Sequence, residues 1–280
     1  MLPSMPPDVE TLHHTKTGPE TPAPAPAGGA VVGGADGAAA GGAVATAGAG
    51  NVLLLVHGWG GDGHSWDPVR FGARRVVTVD LRGHGRSPVP DDGYRPADYA
   101  ADLAALITAT GLQPVVAVGH SMGGQVVVRL ALDHPELVRA LVVIDPAYGA
   151  DDAEAATFGR RLADLRRDGA AAAVRQLGHL ADDVREQLLR TPGHVLAVSY
   201  AGMYTDPDAF GARPAAAKVL ARLTQPVLCI RPGAPMADWD LSCALPPRSR
   251  VVVWNGAGHF LHRDRPRPFV RLVEGWLATL

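Results

Sequence analysis

The sequence is poor in the residue types that build metal centres and disulfide frameworks. Among its 280 residues it has 2 cysteines, Cys229 and Cys243, which form neither a metal-binding pattern nor a set of paired thiols. Its 11 histidines are scattered, and neither an H-E-x-x-H motif nor a cysteine pair accompanies them. We therefore expect no metal site and no cofactor.

The chain also lacks a large excess of charge and long apolar runs. A formal net charge of -2 gives no electrostatic case for binding nucleic acid or an acidic membrane surface. No apolar run approaches the roughly 20 residues of a membrane span, and no basic start precedes an apolar segment at the N-terminus. These absences indicate a cytoplasmic protein whose partner is a small molecule, and we expect a monomer or homodimer.

Large apolar residues are scarce in residues 1–50, which are rich in proline, alanine and glycine. Segments such as TPAPAPAGGA bury too little apolar surface to offset the entropy of ordering the chain. We expect a disordered leader here, and a weak strand near its end is left open. From Asn51 the composition becomes globular, and the 47% of hydrophobic residues in the whole chain can supply a sizeable core.

Beyond the leader, short apolar segments alternate with helical ones. Six segments rich in β-branched residues are predicted as strands: 52–56, 76–79, 115–118, 141–144, 227–230 and 251–254. The intervals carry helical periodicity. Apolar strands separated by helices predict an α/β fold, with a mostly parallel sheet covered by helices on both faces. In such sheets the functional residues gather at the carboxyl ends of the strands.

One region interrupts this alternation. Residues 148–218 include FGRRLADLRRDGAAAAVRQLGHLADDVREQLLR, which is helical and has few strand signals. We predict an inserted helical segment here, so that residues 51–147 and 219–280 form the α/β core.

A serine follows the third predicted strand in a distinctive setting. In PVVAVGHSMGGQVVVRLALDHP, residues 114–135, the apolar run ends at Gly119 and helical spacing begins after Ser121. Ser121 is therefore predicted on a very short strand-to-helix turn. The other GHS triplet, residues 63–65, has neither a strand directly before it nor a glycine two positions after its serine.

A glycine pattern after the first strand supports a competing interpretation. Gly58, Gly60 and Gly63 form G-x-G-x-x-G, and Asp80 ends the next strand, as in a dinucleotide-binding fingerprint. However, a proline interrupts the helix that this fingerprint requires, and a dehydrogenase would leave the serine turn unexplained. We expect Asp80 instead to anchor the loop of residues 82–87.

The motifs at the strand ends resemble those of the α/β-hydrolase family. Four segments carry the resemblance: the G-x-S-x-G nucleophile elbow at 119–123, HG at 57–58, DLRGHGRS at 80–87 and GAGH at 256–259. The resemblance covers residues 51–280. It implies an α/β-hydrolase fold in which the helical segment 148–218 is a cap over the site.

The resemblance implies a role for several residues. Ser121 would be the nucleophile and His259 the base, because a serine hydroxyl is a poor nucleophile until an adjacent imidazole takes its proton. His262 is the alternative base. The backbone N–H groups of Trp59 and Met122 would form an oxyanion hole.

The acid is where the sequence departs from the commonest pattern of the family. After the penultimate strand most relatives carry G-x-x-D, but the corresponding segment here is RPGAPMADWD. Asp145 is expected to be the acid, because IDPAYG resembles the Asp-Pro-Ala segment of some lipases of this fold and Pro146 disfavours a helical conformation at Asp145. Asp238 is the alternative, and Asp240 or a missing acid stays open.

The cap residues indicate which substrates to expect. The larger side chains of the cap predict an apolar pocket. They include Phe158, Leu162, Tyr200 and Met203. The expected substrate-contacting residues are Gly58, His120, Tyr148, Tyr200 and Met203. The predicted function is a serine hydrolase that cleaves a small to medium, mainly apolar carboxylic ester, lactone or thioester through an acyl-enzyme. A non-hydrolytic lyase or ligand-binding protein of the same fold is the alternative.

Overall fold

A seven-stranded sheet forms the middle layer of the computed structural model, which describes residues 12–18 and 52–280. The strands are β1 (His14–Thr17), β2 (Val52–Val56), β3 (Arg75–Val79), β4 (Val115–His120), β5 (Val138–Ile144), β6 (Val227–Arg231) and β7 (Arg250–Val253). Their spatial order is β1-β3-β2-β4-β5-β6-β7. β1 runs antiparallel to β3, and the other neighbours are parallel. The predicted α/β fold with a mostly parallel sheet is confirmed.

Helices follow the strands in the described part of the chain. They are α1 (Pro96–Thr110), α2 (Met122–Asp133), α3 (Asp152–Ala155), α4 (Phe158–Asp168), α5 (Ala170–Leu177), α6 (Asp182–Arg190), α7 (Gly193–Tyr204), α8 (Arg213–Leu220), α9 (Ala234–Ser242), α10 (Leu261–Asp264) and α11 (Pro266–Leu277). Short 3-10 helices lie at Gly63–Trp66 and Pro135–Leu137. Among the described residues, no helix combines the length and apolarity of a bilayer span.

Two apolar cores lie on opposite faces of the sheet. All residues of β4 are buried, and side chains along a strand point alternately to either face. Val115 and Ala117 accordingly belong to one core, which α1 and α2 cover, whereas Val116 and Val118 belong to the other, which α11 covers. This double coverage explains why the central strands are apolar throughout rather than alternating.

The first strand corrects the prediction of a disordered leader, in which a strand was left open only near the end. Residues 14–17 pair with β3, and the backbone N–H of Asp80 donates to the carbonyl of His13 at 2.9 Å. Leu12 is buried in the core beneath this edge. The prediction was wrong here because an edge strand with one face in water carries polar side chains, here HTKT, and shows no apolar run. The remaining leader residues, including the strand left open near its end, lie outside the described residues.

The helical insertion (Asp152–Leu220) lies between β5 and β6 and consists of α3 to α8. It has a core of its own, in which Leu162, Leu165, Leu188 and Leu196 take part. The chain at the start of the insertion lies beside the segment that precedes α8, because Ala150 and Ala212 form a parallel bridge. Its helix α7 contacts the loop after β2 through Trp59, whose indole N–H donates to Ser199 Oγ at 3.0 Å.

Candidate active site

Ser121 sits in a strained turn between β4 and α2. Its backbone has φ 52° and ψ -115°, a conformation that residues other than glycine rarely adopt and that costs about 1–3 kcal/mol. Three hydrogen bonds hold the turn: the N–H of Ser121 donates to Ile144 O at 3.0 Å, and its carbonyl accepts from Gly124 at 2.9 Å and Ala147 at 3.0 Å. The serine is thus fixed at the carboxyl end of β4.

The glycines around the serine allow the turn to be this tight. A Cβ on Gly119 would collide with the carbonyl of Gly123. A Cβ on Gly123 would lie 2.5 Å from Val56 O, a distance that real Cβ atoms do not reach. The first turn of α2 therefore packs directly against the backbone at the end of β2.

His259 and Asp145 are brought together by the loops after β7 and β5. The distance between His259 Nδ1 and Asp145 Oδ2 is 2.6 Å. Asp145 has φ 38°, and its N–H donates to Ile230 O at 2.8 Å, so the neighbouring strand β6 holds this turn. Because an ionised carboxylate can only accept, His259 carries a proton on Nδ1 and its Nε2 is left as an acceptor.

The structure does not bring the other acidic candidates to His259. Asp238 lies on α9 with its side chain exposed to solvent. Asp240, also on α9, is buried, and its Oδ2 accepts from Arg231 Nε at 2.7 Å. Of the three carboxylates that the sequence left open, Asp145 is the one that contacts His259.

Arg231, at the end of β6, was missed by the sequence analysis. Its side chain is 1% exposed, and its guanidinium binds Asp240 on one side. On the other side Nη1 donates to Pro146 O at 2.9 Å and to Asp145 Oδ1 at 3.4 Å, and Nη2 donates to Tyr148 O at 3.1 Å. One buried cation therefore ties α9 to the turn that carries Asp145.

Two histidines lie buried behind His259. His120 Nε2 lies 2.9 Å from the carbonyl of His259, so this nitrogen carries the proton and the neutral ring supports the loop. Burial lowers the pKa of His120 well below its ordinary value. His262, the alternative base, packs its ring 4.4 Å from the ring of Trp66, and burial lowers its pKa to about 3. His262 is therefore packed among buried aromatic rings, and the histidine that contacts Asp145 is His259.

The loop after β2 passes close to Ser121. A Cβ on Gly58 would lie 2.8 Å from His120 Nδ1 and 3.2 Å from the Cβ of Ser121, so a glycine allows the loop to approach this closely. Trp59 follows it and lines the cavity above the serine. Met122 is the first residue of α2, and its side chain is buried in the core.

Two adjoining cavities meet at Ser121 and His259. Among the expected substrate-contacting residues, four line the first cavity: Gly58, His120, Tyr200 and Met203. Tyr148 lines the second. Two apolar residues assigned to the pocket lie elsewhere: Leu162 belongs to the core of the insertion, and Phe158 packs its ring 4.5 Å from that of Tyr204.

A family model described as "Alpha/beta hydrolase family" matches residues 53–272. The chain belongs to the α/β-hydrolase family.

Relatives of this α/β hydrolase include several enzymes. A Bacillus subtilis (strain 168) protein, provisionally named a 2-succinyl-6-hydroxy-2,4-cyclohexadiene-1-carboxylate synthase, is 29% identical over 83% of this chain and 92% of its own length. A 2-(acetamidomethylene)succinate hydrolase of Mesorhizobium japonicum is 29% identical over 82% of this chain and 89% of its own. The structure of a thermophilic esterase from Thermogutta terrifontis has a TM-score of 0.71 at 22% identity, covering 96% of this chain and 93% of that one, and supports the fold.

The glycine pattern after β2 does not form a dinucleotide site in this α/β hydrolase. Between β2 and β3 the chain forms the 3-10 helix Gly63–Trp66 rather than the α-helix that would cradle a pyrophosphate. As expected, Asp80 anchors the next loop, because its carboxylate accepts from the N–H groups of Gly63 at 2.7 Å and Arg86 at 3.1 Å. Across residues 12–18 and 52–280, no three side chains of the metal-binding types converge.

Polar residues of the cavity were also missed from the sequence. Arg161 on α4, Gln176 on α5 and Gln187 on α6 line the first cavity. On helices with a regular polar face, such residues are indistinguishable from solvent-exposed ones, and the sequence analysis treated the charges of this segment in that way. The orientation of α4 over the sheet, which no local pattern encodes, turns Arg161 towards the site.

Proposed function

We propose that this α/β hydrolase is a serine hydrolase that cleaves a small to medium carboxylic ester, lactone or thioester through an acyl-enzyme. The observation that carries the proposal is the 2.6 Å contact between Asp145 and His259, with His259 and the strained Ser121 lining one cavity. A serine on a sharp turn, a histidine and an orienting carboxylate are the parts that acyl transfer needs.

In the first half of the reaction, Ser121 Oγ attacks the carbonyl carbon of the ester and His259 Nε2 takes the hydroxyl proton. Asp145 holds the ring in the tautomer with the proton on Nδ1 and stabilises the imidazolium that forms. The backbone N–H groups of Trp59 and Met122 bind the oxyanion, and each such donor contributes roughly 10²–10³ in rate. The imidazolium then protonates the departing alkoxide, which leaves as an alcohol.

In the second half, water replaces the alcohol. His259 Nε2 accepts a proton from the water as its oxygen attacks the acyl carbon, and the tetrahedral intermediate collapses with release of the carboxylic acid. The proton returns from His259 to Ser121 Oγ. The free enzyme is thereby restored, and no cofactor enters the cycle.

A second candidate follows from the name of the Bacillus subtilis relative, which is that of a synthase. In this alternative the Ser121–His259 pair removes a proton from the substrate and a leaving group departs. No acyl-enzyme forms on this route. Trapping of an acylated Ser121 therefore distinguishes the two candidates.

Intact-mass measurement tests the proposal. A fluorophosphonate is added to the wild type and to Ser121→Ala, Asp145→Asn and Asp238→Asn; the wild type is also quenched rapidly after mixing with a para-nitrophenyl ester. We expect one phosphonyl adduct that is absent in Ser121→Ala, slower labelling in Asp145→Asn, and wild-type labelling in the exposed control Asp238→Asn. A transient acyl adduct supports the hydrolase. Folded wild type without any adduct would refute an activated serine, and phosphonylation without acylation would favour the lyase.

A further inference from the structure

A cationic side chain borders the surroundings of Ser121, where the carboxylates of Asp145 and Glu154 also line the second cavity. Arg161, on α4 of the helical insertion, borders both of the cavities that meet at Ser121 and His259. The second cavity also touches Arg231, but that guanidinium is engaged with Asp240. Arg161 is therefore the arginine whose position suits contact with a substrate.

The charge of Arg161 is weakly compensated by the protein. Its ion pair with Glu154 spans 3.7 Å, beyond hydrogen-bond distance, and the two side chains are 38% and 49% exposed. By contrast, Arg167 on the same helix donates to Asp164 at 2.7 Å and to Asp168 at 3.0 Å. The backbone of Arg161 is fixed, because its carbonyl accepts from Gln176 Nε2 at 2.9 Å. A guanidinium with donors to spare on a fixed backbone is a ready partner for an anion.

Tyr200 provides a second donor in the same place. Tyr200 lines the first cavity, and its buried hydroxyl finds no acceptor among the described residues. The guanidinium of Arg161 lies beside this hydroxyl but can only donate, so the hydroxyl proton is left without a partner. Burial raises the pKa of Tyr200 to about 12, and the nearby guanidinium of Arg161 opposes that rise. The phenol is therefore neutral and able to donate at neutral pH. A buried donor without a partner is costly, and a ligand oxygen would satisfy it.

We propose that the substrate carries a free carboxylate in addition to the scissile bond, and that Arg161 and Tyr200 bind this carboxylate. A carboxylate offers two oxygens, which a guanidinium and a phenol can share. The inference deepens the proposed function, and its part about an ester rests on that function. It also changes the expectation from sequence, which favoured a mainly apolar substrate.

Two pairs of esters of matched shape test the inference. Monoethyl succinate and ethyl isohexanoate differ by a carboxylate in place of an isopropyl group on the acyl side. The acetyl ester of 3-hydroxypropionate and isoamyl acetate differ in the same way on the alcohol side. The measurement is kcat/KM for each ester with the wild type, Arg161→Met and Tyr200→Phe. Arg160→Met is the matched control, because Arg160 is exposed on the same helix and does not line the cavities.

We expect the wild type to prefer the carboxylate member of at least one pair. Arg161→Met should lower kcat/KM for that ester by roughly 10- to 100-fold, mainly through KM, as loss of a charged hydrogen bond does. The same variant should change kcat/KM for the uncharged ester by less than about threefold. Tyr200→Phe should lower kcat/KM for the carboxylate ester by a smaller factor, and Arg160→Met should leave kcat/KM unchanged for both members of the pair. Equal effects of Arg161→Met on both members, or none on either, would overturn the inference and leave the proposed function standing.

A binding measurement keeps the two proposals separable. Succinate should raise the melting temperature of the wild type and of Ser121→Ala, because a ligand that binds the folded state stabilises it, but should not raise that of Arg161→Met. If Ser121 is not labelled and no ester is cleaved, the proposed function fails, and the succinate shift alone decides whether the anion site exists. A shift that persists in Arg161→Met, or no shift in any variant together with no carboxylate preference, refutes the site.

Discussion

Replacing Arg231 with methionine would leave the carboxylate of Asp240 buried without its partner. The Asp240 side chain is 2% exposed, and both of its oxygens accept from the Arg231 guanidinium, at 2.7 and 3.3 Å. The same substitution removes the donors to the carbonyls of Pro146 and Tyr148. Removing one partner of a buried ion pair costs about 3–5 kcal/mol, so Arg231→Met should lower the free energy of unfolding by about this amount.

A double variant tests the cause of this loss. When Asp240→Leu accompanies Arg231→Met, neither charge of this pair remains buried, and we expect the double variant to recover most of the about 3–5 kcal/mol lost in Arg231→Met. Urea unfolding followed by circular dichroism measures all four proteins of the cycle. Arg250→Met, at an exposed position of β7, is the control and should be neutral within about 0.5 kcal/mol. A cost below about 1 kcal/mol for Arg231→Met, or additive effects in the double variant, would refute the reasoning.

The double variant also separates stability from positioning. It should fold, yet it lacks the guanidinium that contacts the turn of Asp145 at Pro146 O and at Oδ1. Because small displacements of a catalytic group reduce the rate strongly, we expect kcat for an ester to fall by about 10-fold while KM changes little. Wild-type kcat in a folded double variant would show that β6 holds the turn without Arg231.

Two further predictions concern a buried histidine and an exposed glycine at the end of β1. Burial lowers the pKa of His262 to about 3, whereas it is about 6.5 in an unfolded chain, so the unfolded state binds the extra proton and stability falls as pH drops below about 6.5. Between pH of about 6.5 and about 5, His262 lowers the free energy of unfolding of the wild type by roughly 2 kcal/mol. His262→Leu should therefore lose about that much less stability than the wild type over the same pH interval, as measured by urea unfolding at both pH values. Equal losses in the two proteins would contradict the prediction. Gly18 has φ 103° and a Cβ there would meet Arg74 O, so Gly18→Val should detach β1 and lower the melting temperature, whereas an unchanged melting temperature would mean that β1 adds no stability.

The parts of the molecule that local patterns encode were predicted from the sequence. The β-branched runs predicted the six parallel strands, and the change from strand to helix spacing around Ser121 predicted the tight turn. Pro146 kept Asp145 in a strand-end turn, which is where it meets His259. Such features depend on a few consecutive residues and on the rule that parallel strands end at one edge.

The parts that depend on distant residues could not be predicted. The choice between Asp145 and Asp238 needed the distance from each carboxylate to His259, and α9 turns Asp238 to solvent. Arg231 and Asp240 compensate each other only because α9 folds back onto β6. β1 is polar in sequence, and its pairing with β3 spans about 60 positions of the chain, a separation that no local signal bridges.

The bridge between Ala150 and Ala212 has a consequence for how substrate preference can change. Because Ala150 and Ala212 pair, the two ends of residues 151–211 lie side by side. The entropy of closing a loop there depends only weakly on its length. Segments of different size can therefore replace this excursion while the serine turn and its partners stay in register. We expect that replacing the insertion with that of another family member would also transfer the substrate preference of that member.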